Sequence, residues 1–241
     1  MAAFLFVFFT LWRFNNMHNS RFYFILCVGF LPFLSACSST HEAYIRSMRI
    51  ALAEPQSLVL ETEQIKQSPA DLIYVKKNEL ATVVLALAFI ESGHYKWVSV
   101  DNGALIEKDG RIVKTLSLDS NLDFISSNTS DPLSSPSNID DTTTWQRKID
   151  FNSVQYGLVL SSTFTVLGNQ SLTIQDKIIE TILIEERVDL IENERHGYQQ
   201  SHWINQFWLH KETGKLLRSR QKIIPDGYYF DITYVSRAVR L

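Results

Sequence analysis

Cys37 carries the most specific chemistry in this 241-residue chain. The run Leu34-Ser35-Ala36-Cys37 matches a bacterial lipobox. At such a site the thiol is alkylated with diacylglycerol, and signal peptidase II then cuts on the N-terminal side of the cysteine. Cys27, the other cysteine of the chain, lies in the part that cleavage removes. A mature chain whose one cysteine is acylated has no free thiol, which excludes disulfides, thiolate catalysis and cysteine metal sites. Stability must then come from a hydrophobic core alone.

Acidic side chains are the next candidates. Glu185, Glu186, Asp189, Glu192 and Glu194 fall in one stretch. Glycoside hydrolysis needs two carboxylates roughly 5 to 9 Å apart across a sugar cleft. Neighbours on a strand point to opposite faces, so Glu185 and Glu186 cannot serve together. The remaining acids sit at a turn, where charge is ordinarily solvated, and no catalytic residue is assigned. His202 and His210 share a strand parity but would lie about 27 Å apart at 3.4 Å per residue, too far to ligate one metal. No P-loop, dinucleotide fingerprint, nucleophile elbow or zinc helix motif is present. Neither a cofactor nor a metal is expected. Trp203, Phe207 and Trp208 lie on one expected strand, and Tyr228, Tyr229, Phe230 and Tyr234 on the last. Trp203 and Phe207 share a parity. Such rows fill β cores more often than they stack on sugars; the three residues are nevertheless the candidate partner or glycan contact.

The elements around Cys37 read as a secretory signal. Residues 22–34 form an apolar block ending in small residues, too short for a span of roughly 20 residues. A start at Met17 gives Met-His-Asn-Ser-Arg, then the block, then Cys37, which is an ordinary lipoprotein signal; residues 1–16 fit that anatomy poorly. The expected divisions are a signal over 1–36, a lipidated leash over 37–40 and one domain over 41–241. In enteric bacteria an aspartate after the acylated cysteine retains a lipoprotein in the inner membrane. Ser38 therefore predicts the outer membrane, facing the periplasm. Loss of Arg13 and Arg21, with no acid, moves the formal charge from −3 to −5. A mildly acidic domain without a basic run argues against nucleic acid.

Residues 41–54 predict a helix, with Tyr44/Ile45, Met48 and Ala51/Leu52 at helical spacing and Pro55 as its stop. From Leu72 the pattern turns to β. Strands are predicted at 80–90 (where a short buried helix has the same pattern), 94–100, 145–151, 157–167, 171–175, 178–190, 198–210, 216–224 and 228–235, with a hairpin over 104–115 around Asp109-Gly110. Gly168-Asn169, Asp176-Lys177, Thr213-Gly214 and Pro225-Asp226-Gly227 read as turns. Residues 126–144, dense in Ser, Thr, Asp, Asn and Pro, predict a long loop, either mobile or a functional flap. Regular strands with short turns mean a mainly β, meandering antiparallel sheet that closes as a half-barrel, barrel or sandwich.

An ordered set of segments then resembles the YjbF family of bacterial lipoproteins. It runs from the lipobox through Trp97-Val98-Ser99-Val100-Asp101-Asn102-Gly103-Ala104, Gly110-Arg111-Ile112-Val113-Lys114-Thr115, Leu118, Leu122 and Asp131-Pro132-Leu133. It resumes at Asn205-Gln206-Phe207-Trp208-Leu209, Gly214, Arg218-Ser219-Arg220-Gln221 and Pro225. Leu116 stands where the family usually has glycine, and His210 where aspartate is common. The resemblance implies a strongly bent antiparallel sheet and no established catalytic group. It also implies a place beside an outer-membrane β-barrel and other polysaccharide-secretion proteins, and so an outer-membrane lipoprotein serving as a non-enzymatic accessory in exopolysaccharide or capsule assembly or export, with polysaccharide itself a further partner. The two rival readings are a LolB-like carrier of lipid or lipoprotein acyl chains and a polysaccharide hydrolase.

Overall fold

The computed structural model describes residues 59–191, 197–199 and 201–241. Cys37, the signal, the leash, the helix expected over 41–54, and Glu192 and Glu194 lie outside the described residues.

One antiparallel sheet of twelve strands forms the body. In chain order these are β1 (Leu72–Lys77), β2 (Val83–Glu91), β3 (His94–Val98), β4 (Ala104–Lys108), β5 (Arg111–Leu116), β6 (Leu122–Ser126), β7 (Thr144–Phe151), β8 (Gln155–Ile174), β9 (Lys177–Leu190), β10 (His202–His210), β11 (Leu216–Lys222) and β12 (Tyr229–Thr233). Strands adjacent in sequence pair except β5 and β6, and β1 also pairs with β12, with Tyr74 opposite Thr233. The ladder is interrupted only between β5 and β6, so the sheet is a nearly closed barrel, within the expected fold class.

Side chains bridge that seam. Thr115 Oγ1 on β5 accepts from Leu122 N on β6 at 2.9 Å, and Asn121 Oδ1 accepts from Leu118 N at 3.1 Å. Strand formation follows the period-two pattern that buries one face. On β7, Trp145, Arg147, Ile149 and Phe151 are buried while Thr144, Gln146 and Lys148 are exposed. The interior is filled by Ile73, Leu85, Trp97, Leu105, Ile112, Leu158, Leu160, Phe164, Phe207 and Ile232 among others. Each large apolar side chain buried in this way contributes about 1.5–3 kcal/mol. A second core lies on the outer face. There helices α1 (Thr62–Gln67) and α2 (Val235–Val239) cover Leu72, Val84, Leu183, Trp208 and Leu217.

Two sequence expectations need correction. Gly168-Asn169 is not a turn: β8 is one 20-residue strand, and Gly168, at φ 90°, relieves a bulge beside Val166. Residues 228–235 are not one strand, because the chain leaves the sheet after Thr233 and forms α2. A helix of five residues is too short to show a period. α1 has no counterpart among the expected elements, although Gln64 Oε1 accepts from Glu61 N at 2.9 Å as a capping box predicts.

The β4–β5 hairpin does form as expected. Lys108 pairs with Arg111, and Asp109 and Gly110 take φ of 52° and 83°, the left-handed pair of a two-residue hairpin loop. A Cβ added at Gly110 would collide with the Leu216 side chain, so this turn also packs on β11. The 126–144 stretch contains two 3-10 turns, Pro132–Ser134 and Pro136–Asn138. Asp131 Oδ1 caps the first by accepting from Leu133 N at 3.0 Å. Leu133 and Ile139 belong to the interior core, so the middle of this loop is folded down over one end of the barrel.

Candidate functional site

Beneath that loop lies a buried ionic cluster. Glu186 on β9 is fully buried, and four donors converge on its carboxylate. Oε1 accepts from Arg147 Nη1 on β7 at 3.0 Å and from Ser162 Oγ on β8 at 2.6 Å. Oε2 accepts from Arg111 Nη1 on β5 at 2.8 Å and from Asn205 Nδ2 on β10 at 3.0 Å. Arg111 also pairs through Nε and Nη2 with Asp131 of the loop. Both guanidinium carbons stand 4.6 Å from the centroid of Trp145, and that of Arg111 is 5.6 Å from Phe207.

Burying such ions costs several kcal/mol each unless charge and hydrogen bonds are matched. Here two cations face two anions, and both oxygens of Glu186 are saturated. Burial alone would raise the Glu186 pKa, but Arg111 and Arg147 override it and hold the carboxyl at about 2. Burial pulls Arg147 down to about 10 against the opposing pull of Glu186. Arg111 moves the other way: burial depresses it, and Asp131 with Glu186 more than offset that. Glu186 therefore has no proton to donate near neutral pH and no lone pair to offer a substrate. The cluster joins the seam strand β5, the loop and the wall β7–β10 into one unit.

The sequence candidates have other places. Trp203 and Phe207 are 3% and 0% exposed inside the barrel, and Trp208, 7% exposed, is under the outer helices. Trp203 and Phe207 share one face, as their parity requires, but that face is the core, and no ring of the three is open to a partner or glycan. Trp203 Nε1 donates to Lys222 O at 2.9 Å, and Trp208 Nε1 to Gln170 Oε1 at 2.5 Å. Glu185 points away from Glu186 and bonds Gln206 at 2.7 Å, while Asp189 bonds Arg187. His210 Nδ1 is 2.9 Å from Thr213 Oγ1 at the β10–β11 turn. Among the described residues no group of three or more His, Cys, Asp or Glu could hold a metal ion.

Sequence reading missed the cluster, although part of its signal is present. Arg147 sits at an inward position between Trp145 and Ile149, and Glu186 at one between Ile184 and Val188. Opposite charges at inward positions of two strands mark an internal pair. Arg111 is harder to read, because a bulge between Ile106 and Glu107 shifts its parity.

A second buried acid, Glu107 on β4, is 2% exposed. It accepts from Trp97 Nε1 at 2.7 Å and from Tyr234 OH at 2.8 Å. Burial pushes its pKa to about 7, against the pull of Tyr234, Arg237 and Trp97. Burial and the neighbouring Glu107 raise Tyr234 well above its ordinary value, so the phenol keeps its proton and donates. With the folded pKa above the free value of 4.5, the unfolded chain releases this proton first as pH rises. Stability from this group is intact below about pH 4.5 and is lost as pH rises through about 7, by roughly 3 kcal/mol for a shift of this size. Urea unfolding of the wild type is expected to show that fall, and Glu107→Gln to remove most of it. An equal fall in both proteins would assign it to other groups.

A nearly closed, single-sheet antiparallel barrel, with a loop drawn over one end by a buried ionic cluster, defines the structural class. Three segments that carry the family resemblance, around Arg111, Asp131 and Asn205–Phe207, meet at that cluster. The chain belongs to the YjbF family: the model described as "Group 4 capsule polysaccharide lipoprotein gfcB, YjbF" matches residues 45–235. Among its relatives is the uncharacterized lipoprotein GfcB of Escherichia coli (strain K12), 29% identical over 211 residues, covering 87% of this chain and 96% of GfcB. The uncharacterized lipoprotein YjbF of the same organism is 27% identical over 208 residues, covering 85% of this chain and 93% of that one. The crystal structure of the hypothetical lipoprotein YmcC from Escherichia coli (K12) aligns with a TM-score of 0.68 at 26% identity. It covers 83% of this chain and 96% of that one.

Proposed function

We propose that this chain is an outer-membrane lipoprotein, anchored through acylated Cys37 and facing the periplasm, that serves as a non-enzymatic accessory in capsule or exopolysaccharide assembly or export. One observation carries the reading: the family match opens at residue 45, directly downstream of Leu34-Ser35-Ala36-Cys37. A lipid on Cys37 keeps the barrel within a short leash of the membrane. Its partners are an outer-membrane β-barrel and other secretion proteins, which it meets through exposed surface, because the aromatic row is internal. The saturated Glu186 supports the non-enzymatic role over hydrolysis. Deletion of the gene in the native host, followed by measurement of secreted polysaccharide under inducing conditions, tests the reading. The expected outcome is a clear fall in secreted polymer with cell growth unaffected; an unchanged yield counts against it.

A further inference from the structure

Glu107 leaves half of its acceptor capacity unused. In its ionised form, above its pKa of about 7, the carboxylate offers about four acceptor positions, and Trp97 and Tyr234 fill one on each oxygen. In Glu186 the corresponding positions are all filled. Glu107, 2% exposed, lies in the floor of a cleft of about 510 Å³ at the loop-covered end of the barrel, walled by Tyr95, Lys215, Arg237, Arg240, Asp71 and Asp109. A volume of this order suits a bound small ligand or a segment of a longer one. The cleft adjoins a groove of about 630 Å³ on the other flank of the same loop, and both are bordered by Pro136 and Gly214. The two share Pro136, Leu209 and Gly214 in their walls, so an extended ligand in one lies beside the other.

The wall chemistry selects the ligand. A buried acceptor with open lone pairs costs free energy unless a donor reaches it. Tyr95 supplies a ring beside it and lies stacked on Trp97 with centroids 6.5 Å apart. Arg237 is held at the rim by a bond to Leu216 O at 2.9 Å, while Arg240 is ion-paired with Asp71 at 2.7 Å and its charge is already offset. The cleft at the opposite end of the barrel, about 490 Å³, has aliphatic walls from Val75, Leu85, Leu105 and Leu118, and its Lys77 and Asp119 neutralise each other at 2.8 Å. Of these two clefts, the first combines a buried acceptor, an aromatic face and the Arg237 guanidinium.

We infer that the cleft above Glu107 is a carbohydrate site, in which Glu107 accepts from the hydroxyls of an extended saccharide, Tyr95 lies against a sugar ring and Arg237 donates to the chain's oxygens. The inference rests on the export reading for the identity of the polymer. Its test is isothermal titration of the detergent-solubilised mature lipoprotein with extracellular polysaccharide purified from the wild-type host. Saturable binding is expected, weakened about tenfold or more by Glu107→Gln, the size of losing a hydrogen bond to a charged group. Hydrogen exchange on the wild type supplies a readout that needs no variant: added polysaccharide is expected to protect residues 107–110, 133–137 and 214–216. No binding, equal binding by Glu107→Gln, or protection confined to other strands overturns the site. An export defect on gene deletion without polysaccharide binding rejects the site and leaves the export role standing. Binding with protection at these residues, but without an export defect, supports the site and rejects the role.

Discussion

Glu186→Ala is expected to destabilise the folded protein by about 3–5 kcal/mol, the cost of leaving buried charges without their partner. Arg111 and Arg147 would face one another across the emptied position, with only Asp131 left to offset them. Domains of this kind are stable by only about 5–15 kcal/mol, so a loss of this size is a large share of the total. Urea denaturation of the detergent-solubilised mature protein measures it. Combined replacement by Arg111→Met, Asp131→Asn, Arg147→Leu and Glu186→Leu should cost much less than Glu186→Ala alone, because no buried ion is left unpaired. The acid side carries a second signature. With its folded pKa at about 2, Glu186 contributes stability that is present above the free carboxyl value of 4.5 and is lost as pH falls toward 2. Both the single-variant loss and this acid limb are expected; a Glu186→Ala protein as stable as wild type would show that the cluster does not hold the barrel together.

Cys37→Ala should abolish lipid attachment altogether. Each buried methylene contributes about 0.8 kcal/mol, and two lipid signals already suffice for stable anchoring, so three acyl chains are effectively permanent. Wild-type protein grown with labelled palmitate is expected to take up the label and to begin at residue 37 by mass. Without the thiol there is no thioether, and signal peptidase II has no modified residue beside which to cut. The variant should incorporate no label and should retain residues before position 37. Equal labelling of the two proteins would place the acyl group elsewhere and remove the basis for the anchor.

Much of the sheet was legible because its signals are local. Alternation in Trp145-Gln146-Arg147-Lys148-Ile149 and the Asp109-Gly110 turn each specify their element without help from distant residues. The bulge at Gly168 was not, because a glycine that ends a strand and a glycine that kinks one look alike until the partner strand is known. Here β9 pairs on both sides of it, from Leu190 to Lys177. The buried cluster was less legible still. Arg111, Asp131, Arg147 and Glu186 are separated by up to 75 positions, and their meeting depends on how the barrel closes. The aromatic row shows the reverse limit. Parity correctly gave Trp203 and Phe207 one face, but whether that face looked inward or outward depended on curvature that no single strand encodes. Glu107 needed the same knowledge, since its partner Tyr234 lies 127 positions away and on the far side of the β1–β12 junction.

The most direct measurement is the amount of polysaccharide secreted by the gene-deletion strain when it is supplied with the wild-type chain or with Cys37→Ala, each confirmed present by immunoblot. Restoration of secretion by the wild-type chain and failure of the unlipidated one is the expected result. Secretion that never fell on deletion, or that both chains restore equally, would contradict a lipid-anchored role in polysaccharide export.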